Sequence, residues 1–106
     1  MSGLRITTAD EDRLDNVHPG DILREDFLIG SAIPLDEVAA GAGIDRTELA
    51  RLIDGRTSVN ANLDLRLARY LRMSEGFFLG LQNDYDLEEA KRALDGALDR
   101  IVPRAA

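Results

Sequence analysis

Hydrophobic residues recur through most of the chain at steps of three and four, which is the spacing of one face of an α-helix. Alternating, strand-like runs are weak, and leucine, alanine, arginine, aspartate and glutamate dominate the composition. Glycine, proline or a capping residue interrupts the repeat and divides residues 17–86 into five segments, at 18–30, 31–43, 44–55, 60–73 and 74–85. We therefore predict an all-α domain of five helices over 17–86.

The two ends of the chain differ from this central domain. Residues 1–16 are polar and acidic, and we expect an arm that is disordered or forms one short turn. Beyond residue 86 the apolar residues on an otherwise charged segment are Leu87, Ala90, Leu94, Ala97 and Ile101. Their spacing predicts an amphipathic C-terminal helix over 87–103, whose apolar stripe is a candidate interface.

The third segment, 44–55, carries clear local signals for a helix. Asp45 is a natural N-cap, and Glu48 follows three residues later, as in a capping box. The buried stripe then consists of Leu49, Leu52 and Ile53, which leaves an exposed face of Arg46, Thr47, Ala50 and Arg51. A link of only three residues, beginning at Gly43, joins this helix to the one before it, and that is the arrangement of a helix-turn-helix.

The charge of the chain is unevenly distributed. With 13 basic and 20 acidic residues the net charge is −7, and an acidic balance by itself argues against nucleic acid. Residues 43–73 nevertheless carry six arginines against four acids, whereas the segments on either side are net negative. The only net-positive third of the chain therefore contains the predicted helix-turn-helix, where phosphate contact would need it.

Several classes of function find no support in the sequence. Because there is no cysteine and only one histidine, we expect no metal and no cofactor, and we assign His18 to a local hydrogen bond at a helix start. No nucleophile–base or paired-carboxylate arrangement follows from the spacing, so we do not expect an enzyme. Since no apolar run approaches a membrane span and no signal-peptide core is present, we expect a cytoplasmic, nucleoid-associated protein.

Three stretches of the chain together resemble one family. They are "HPGDILREDFL", "GIDRTELARLIDGRTSV" and "LRLARYLRMSEGFFLGLQNDYDL", and the similarity runs from about Val17 to about Leu87. In this order and spacing they resemble HigA-type antitoxins, which belong to the Xre/Cro/cI helix-turn-helix regulators. The resemblance implies a five-helix, lambda-repressor-like domain with a C-terminal helical extension. It also implies a homodimer that binds a palindrome in its own promoter and neutralises a HigB-like toxin, an mRNA endonuclease of the RelE kind.

The resemblance also implies a set of DNA-binding residues. Carried over position by position, they are Arg46, Thr47, Ala50, Arg51, Arg56, Thr57 and Ser58. Arg51 is the better candidate for a base contact, and Arg46 suits either a base or a phosphate. In the alternative interpretation both are ordinary surface arginines, with Arg51 paired to Glu48 or Asp54, and residues 56–58 form a plain turn. The chain departs from the family pattern at Leu35, Glu48 and Ala50.

Two protein partners are expected. Surplus apolar residues predict a dimer interface at Phe78, Leu81, Tyr85, Leu87 and Leu94. RelE-like toxins are expected to be basic, so an acidic surface would attract them. The candidate toxin-binding residues are Asp10, Glu11, Asp12, Asp15, Asp21 and Glu25. Asp26, Asp36 and Glu37 on the first two helices extend that surface, and the acidic helix 86–99 is a competing site.

Two other functions remain open at this point. The chain could be a transcriptional regulator of the same family that has no toxin. It could also be a protein-binding module that no longer binds DNA, an alternative favoured by Leu35, Asp45 and the negative net charge.

Overall fold

The computed structural model describes residues 15–105, and every element in that range is helical. Helix α1 spans Pro19–Ile22 and continues as a π-helix over Leu23–Ile29. It is followed by α2 (Leu35–Ala42), α3 (Arg46–Ile53), α4 (Ala61–Leu71), α5 (Phe77–Leu94) and a short 3₁₀ turn (Ala97–Arg100). The predicted all-α domain of five helices is confirmed. Within the described range, no helix combines the length and the apolar character that crossing a membrane requires.

The start of α1 follows from the residues that precede it. His18 is the N-cap: its Nδ1 accepts a hydrogen bond from the Gly20 N–H at 2.9 Å, and Asp21 accepts one from the His18 N–H at 3.3 Å. Proline in the first turn has no N–H to leave unsatisfied. The local hydrogen-bonding role predicted for His18 is therefore confirmed, and its ring also meets the Tyr85 ring edge-on, with centroids 4.9 Å apart.

The π-helical continuation of α1 was not predicted. Its i to i−5 hydrogen bonds include Gly30 N–H to Glu25 C=O at 2.9 Å. This wider winding brings residues five apart onto one side. Ile22 and Phe27 have that separation, as do Leu23 and Leu28. All four side chains are buried or half-buried.

The link between α2 and α3 depends on Gly43, whose φ of +70° lies in the left-handed region that L side chains disfavour. This turn lets the Ile44 N–H bond back to the Ala39 C=O at 2.9 Å and buries the Ile44 side chain. Arg66 of α4 also reaches the end of α2, where its Nη1 donates to the Gly43 carbonyl at 3.2 Å. The helix-turn-helix angle is therefore held both locally and from α4.

One core lies among the five helices. Its fully buried side chains come from α1 to α5 and from the π-helix, whereas the 3₁₀ turn contributes none. They include Leu23, Val38, Leu49, Leu52, Leu67 and Phe78. Phe78 packs against Phe27 and Phe77, with ring centroids 5.7 and 5.0 Å apart. The exposed face of α3 is therefore the side opposite this core.

The beginning and end of α5 both differ from the prediction. Ser74, at the start of the predicted segment 74–85, is a residue type that commonly caps helices. However, α5 begins only after Gly76, and its cap is the buried carboxylate of Asp64 on α4. Its oxygens accept from the Gly76 N–H at 2.6 Å and from the Leu79 N–H at 2.9 Å. A side chain distant in sequence has replaced the local one.

The predicted separate helix over 87–103 is also corrected. The segment from residue 87 continues α5, which ends at Leu94 because Asp95 and Gly96 both have positive φ. After the 3₁₀ turn the backbone is extended at Ile101, and residues 102–105 belong to no helix. At the other end of the chain, the last residue of the predicted arm is attached to α5, since Asn16 Nδ2 donates to the Tyr85 carbonyl at 3.0 Å.

Candidate nucleic-acid interface

Helix α3 presents the side chains that the sequence indicated. Leu49 and Leu52 are buried, whereas Arg46, Thr47 and Arg51 are exposed and Ala50 is half-buried between them. A helix with one buried stripe and short or basic residues on the opposite side can enter a major groove, because nothing bulky keeps its backbone from the base edges. The predicted exposed face of α3 is confirmed at Arg46, Thr47 and Arg51 but not at Ala50, and its contact with DNA remains a prediction.

Asp45 caps the start of α3 as expected. Its Oδ1 accepts from the Thr47 N–H at 2.9 Å and from the Glu48 N–H at 3.1 Å. The reciprocal half of the predicted capping box is missing, since Glu48 has no hydrogen bond back to Asp45 among the described residues. Glu48 stays exposed, and the cap is supplied by Asp45 alone.

The two arginines of α3 have different surroundings. Arg46 donates through Nε to Asp36 in the first turn of α2, a partner that the sequence did not suggest. Arg51 makes no ion pair within residues 15–105, so the predicted alternative of pairing with Glu48 or Asp54 is wrong. Its guanidinium is therefore available to a ligand.

The loop after α3 is fixed at both of its ends. Gly55, with φ of +76°, allows the Arg56 N–H to bond back to the Arg51 carbonyl at 2.8 Å. Immediately after the exposed Ser58, the chain is held by Gln82 of α5, whose buried Oε1 accepts from the Val59 N–H at 2.8 Å. Arg56 and Ser58 are exposed and Thr57 is half-exposed, as phosphate contacts from this loop would require.

The C-terminal end of α3 lies directly against α1. A Cβ added at Gly20 would lie 2.0 Å from the Leu52 carbonyl oxygen, so only glycine permits this approach. Arg24 then donates to the Ile53 carbonyl at 3.4 Å, near the negative end of the α3 dipole. Sequence reasoning placed Gly20 at a helix start but missed this contact, because nothing local to residue 20 indicates which backbone lies opposite.

Arg66 and Tyr70 on α4 support α2 rather than the DNA-facing side. Besides reaching Gly43, Arg66 donates through Nε to Oδ1 of Asn62 on its own helix, at 2.7 Å. The Tyr70 hydroxyl donates to Glu37 Oε2 at 2.9 Å, and this hydrogen bond raises the pKa of Tyr70, since it stabilises the neutral phenol beside a carboxylate.

The residues predicted for a dimer interface differ in their exposure. Phe78 is only 1% exposed and belongs to the core, so its predicted place in an interface is wrong. Leu81 and Tyr85 are half-buried, whereas Leu87 and Leu94 are 52% and 43% exposed. Beyond α5, the apolar residues Leu98, Ile101 and Val102 are also exposed.

The acidic residues predicted to meet a toxin are also divided. Asp10, Glu11 and Asp12 lie outside the described residues. Asp15 is exposed. Asp21 and Glu25 both pair with Arg24, at 3.1 and 3.2 Å, and Asp21 completes the cap of α1 as well. No cluster of His, Cys, Asp or Glu suited to a metal ion occurs in the part of the chain that the structure describes.

Known proteins resemble this chain in sequence and in structure. No protein-family model matches the chain. Virulence-associated protein I of Dichelobacter nodosus is 26% identical over 95 residues, which cover 90% of this chain and 87% of that protein. The uncharacterized HTH-type transcriptional regulator YddM of Escherichia coli K12 is 31% identical over 85 residues, covering 79% of this chain and 89% of that protein.

Solved structures resemble the chain over most of its length. The Pseudomonas aeruginosa antitoxin HigA with the higBA promoter has a TM-score of 0.76 at 25% identity, covering 86% of this chain and 99% of that one. PA4674 of the same organism, in complex with its operator DNA, has a TM-score of 0.79 at 28% identity, with coverage of 85% and 96%. A HigA-family antidote protein of Coxiella burnetii has a TM-score of 0.76 at 26% identity, with coverage of 85% and 98%. Antitoxins and a transcriptional regulator among these relatives agree with the prediction that the chain is not an enzyme.

Proposed function

Because this chain belongs to the HigA-type antitoxins of the Xre/Cro/cI helix-turn-helix regulators, we propose that it represses its own operon and neutralises a HigB-like toxin. In this proposal a homodimer binds a palindrome in its own promoter. The toxin is an mRNA-cleaving endonuclease of the RelE kind. Both functions would reside in one chain, with DNA contacted by α3 and the toxin by an acidic surface.

The exposed face of α3 is the observation that supports the DNA-binding half. Arg51 projects from the only net-positive third of the chain and has no acidic partner among the described residues. An arginine in that state can donate two hydrogen bonds to a guanine edge. Arg56, Thr57 and Ser58 in the following loop would bind phosphates and fix the register of α3.

A mobility-shift titration on the DNA upstream of the gene tests this half. Arg51→Ala should weaken operator binding by about tenfold or more, the scale of one lost bidentate base contact. Arg100→Ala removes the same charge from an exposed site outside the helix-turn-helix and should leave binding close to that of the parent. If the parent shows no preference for this DNA over random DNA, the repressor proposal fails.

The same titration separates repression from the second candidate, a protein-binding module without DNA affinity. That candidate is favoured by the acids next to α3, namely Asp36, Asp45 and Glu48. A repressor that contacts phosphates should lose affinity steeply between low and physiological salt, because binding releases counterions. A protein-binding module should show no salt-dependent association with DNA at all.

Dimerisation would supply a second recognition helix for the second half-site of the operator. One recognition helix makes few base contacts, and two of them must lie about 34 Å apart to read successive major grooves. The exposed apolar surface formed by Leu87 and Leu94, with Leu98 and Ile101, is the proposed interface. Leu94→Glu should convert the dimer to a monomer in sedimentation, whereas Leu65→Glu, at an exposed leucine of α4, should not. A Leu94→Glu protein that stays dimeric would place the interface elsewhere.

Toxin neutralisation requires its own test. The neighbouring open reading frame should encode a short basic protein that arrests growth unless this chain is co-expressed. Deleting residues 1–14 removes Asp10, Glu11 and Asp12, and ending the chain after α5 removes Asp95 and Asp99 of the competing site instead. The deletion that weakens toxin binding identifies the acidic surface involved. If neither does, electrostatic attraction to these ends is not how the toxin is bound.

A further inference from the structure

One ion pair crosses the helix-turn-helix. Arg46, the first residue of α3, donates through Nε to Oδ1 of Asp36 in the first turn of α2. Within residues 15–105 it is the single ion pair that joins these two helices. Both side chains are largely exposed, at 64% for Arg46 and 74% for Asp36, so the pair lies on the surface.

Stability does not account for this pair. A cation in the first turn of a helix is opposed by the positive end of the helix dipole, so Arg46 occupies an unfavourable position on α3. An exposed ion pair contributes little, because water already solvates both charges and two long side chains must be ordered. Asp36 would stabilise the start of α2 equally well without a cationic partner, because a carboxylate in the first turn is favoured by the helix dipole.

The geometry of the contact leaves the outer two nitrogens of the Arg46 guanidinium free. Only Nε is engaged, so Nη1 and Nη2 have no partner within the described chain. These two nitrogens form the end-on fork that donates to O6 and N7 of guanine. A carboxylate that holds Nε restricts the rotation of the guanidinium before DNA arrives, which reduces the entropy lost on binding.

We propose that Asp36 is a positioning residue, which holds Arg46 in the orientation that reads one guanine in each operator half-site. This inference rests on the proposed operator binding and adds a second specificity residue to it. Asp36 touches no base in this arrangement; its effect is transmitted through Arg46. The competing effect of Asp36 is simple repulsion of phosphates, which would weaken binding to every DNA alike.

Operators changed at one base pair at a time distinguish these effects. The position read by Arg46 is the one at which substitution weakens the parent by about tenfold or more but leaves Arg46→Ala unchanged. Discrimination at that position is the factor by which the base-pair substitution weakens binding. In Asp36→Ala this factor should fall to less than about threefold, because the same contact is partly lost. Asp36→Asn should keep most of it, because the amide oxygen can still accept from Nε.

Glu37→Gln is the matched control. Glu37 is adjacent to Asp36 in the same turn but accepts from the Tyr70 hydroxyl instead of Arg46, so its replacement removes an equal charge from α2 without touching the pair. Discrimination at the Arg46 position should be unchanged in this variant. Circular dichroism on each variant shows that the helices are intact.

Three results would overturn the inference. Tighter binding of both Asp36 variants to all sequences, with discrimination retained, would make Asp36 only a source of repulsion. If Asp36→Ala discriminates between base pairs as well as the parent does, Arg46 needs no support from Asp36. The repressor proposal would survive that result. An operator panel in which Arg46→Ala changes no position would remove Arg46 from base recognition, whereas a parent that prefers no operator contradicts the proposed function itself.

Discussion

Replacing Asp64 by asparagine should loosen the start of α5 from α4 while changing the side chain's shape very little. The carboxylate is only 2% exposed and accepts two backbone hydrogen bonds, from Gly76 at 2.6 Å and from Leu79 at 2.9 Å. Asparagine retains one acceptor oxygen, so it can keep one of these bonds. Its NH₂ group then faces the second backbone N–H, and two donors cannot form a hydrogen bond with each other.

The loss of stability follows from the number of hydrogen bonds that asparagine cannot make. A hydrogen bond to a charged group contributes about 1.5–3 kcal/mol, and a carboxylate at a helix start gains a further 0.3–1 kcal/mol or so from the helix dipole. Losing one such bond together with the charge should therefore cost about 2–4 kcal/mol. In a domain of this size each kcal/mol lowers the midpoint of thermal unfolding by roughly 4–8 °C. We expect a decrease of roughly 8–32 °C for Asp64→Asn.

Thermal and urea unfolding, followed by circular dichroism, measure this decrease. Asp84→Asn is the control, since Asp84 is an exposed acid on α5 and loses the same charge. It should unfold within about 0.5 kcal/mol of the parent, as surface substitutions usually do. If Asp64→Asn is as stable as Asp84→Asn, the carboxylate does not cap α5 and the assignment is wrong.

Two further predictions concern packing and ionisation. Gly20→Ala places a Cβ 2.0 Å from a backbone carbonyl of α3 and should cost about 2–3 kcal/mol in urea unfolding, whereas Gly80→Ala, with nothing within 4 Å, should not destabilise. Because the bond to Glu37 raises the pKa of Tyr70, its stabilisation is complete below the ordinary tyrosine pKa and is lost as pH rises through the folded value. Glu37→Gln should lower that pKa in an alkaline absorbance titration; an unchanged pKa would contradict the assignment.

The elements that could be predicted from sequence are those whose signals lie within a few residues. Asp45 caps a helix that begins at the next residue, and Gly43 turns the chain three residues before α3. His18 acts on a backbone N–H only two residues away. Each of these interactions closes a small ring of backbone, so the neighbouring residues are enough to specify it.

The contacts that could not be predicted join residues far apart in the chain. Ser74 is a good local cap for α5, but the more buried and charged Asp64 reaches the same N–H groups across 12 to 15 residues. The partner of Arg46 is ten residues away on another helix. Phe78 had the apolar character of an interface residue and belongs to the core. In each case the outcome depends on how the helices pack, which periodicity does not specify.

The negative net charge and the basic face of α3 need not oppose each other. Two of the acids near α3 are already engaged: Asp45 accepts two backbone N–H groups at the positive end of the helix dipole, and Asp36 pairs with Arg46. Non-specific DNA binding is almost wholly electrostatic, so a net charge of −7 weakens it most. Operator binding retains its base contacts, which do not depend on total charge in that way. The acidic balance should therefore increase the ratio of specific to non-specific affinity, and the same charge would attract a basic toxin.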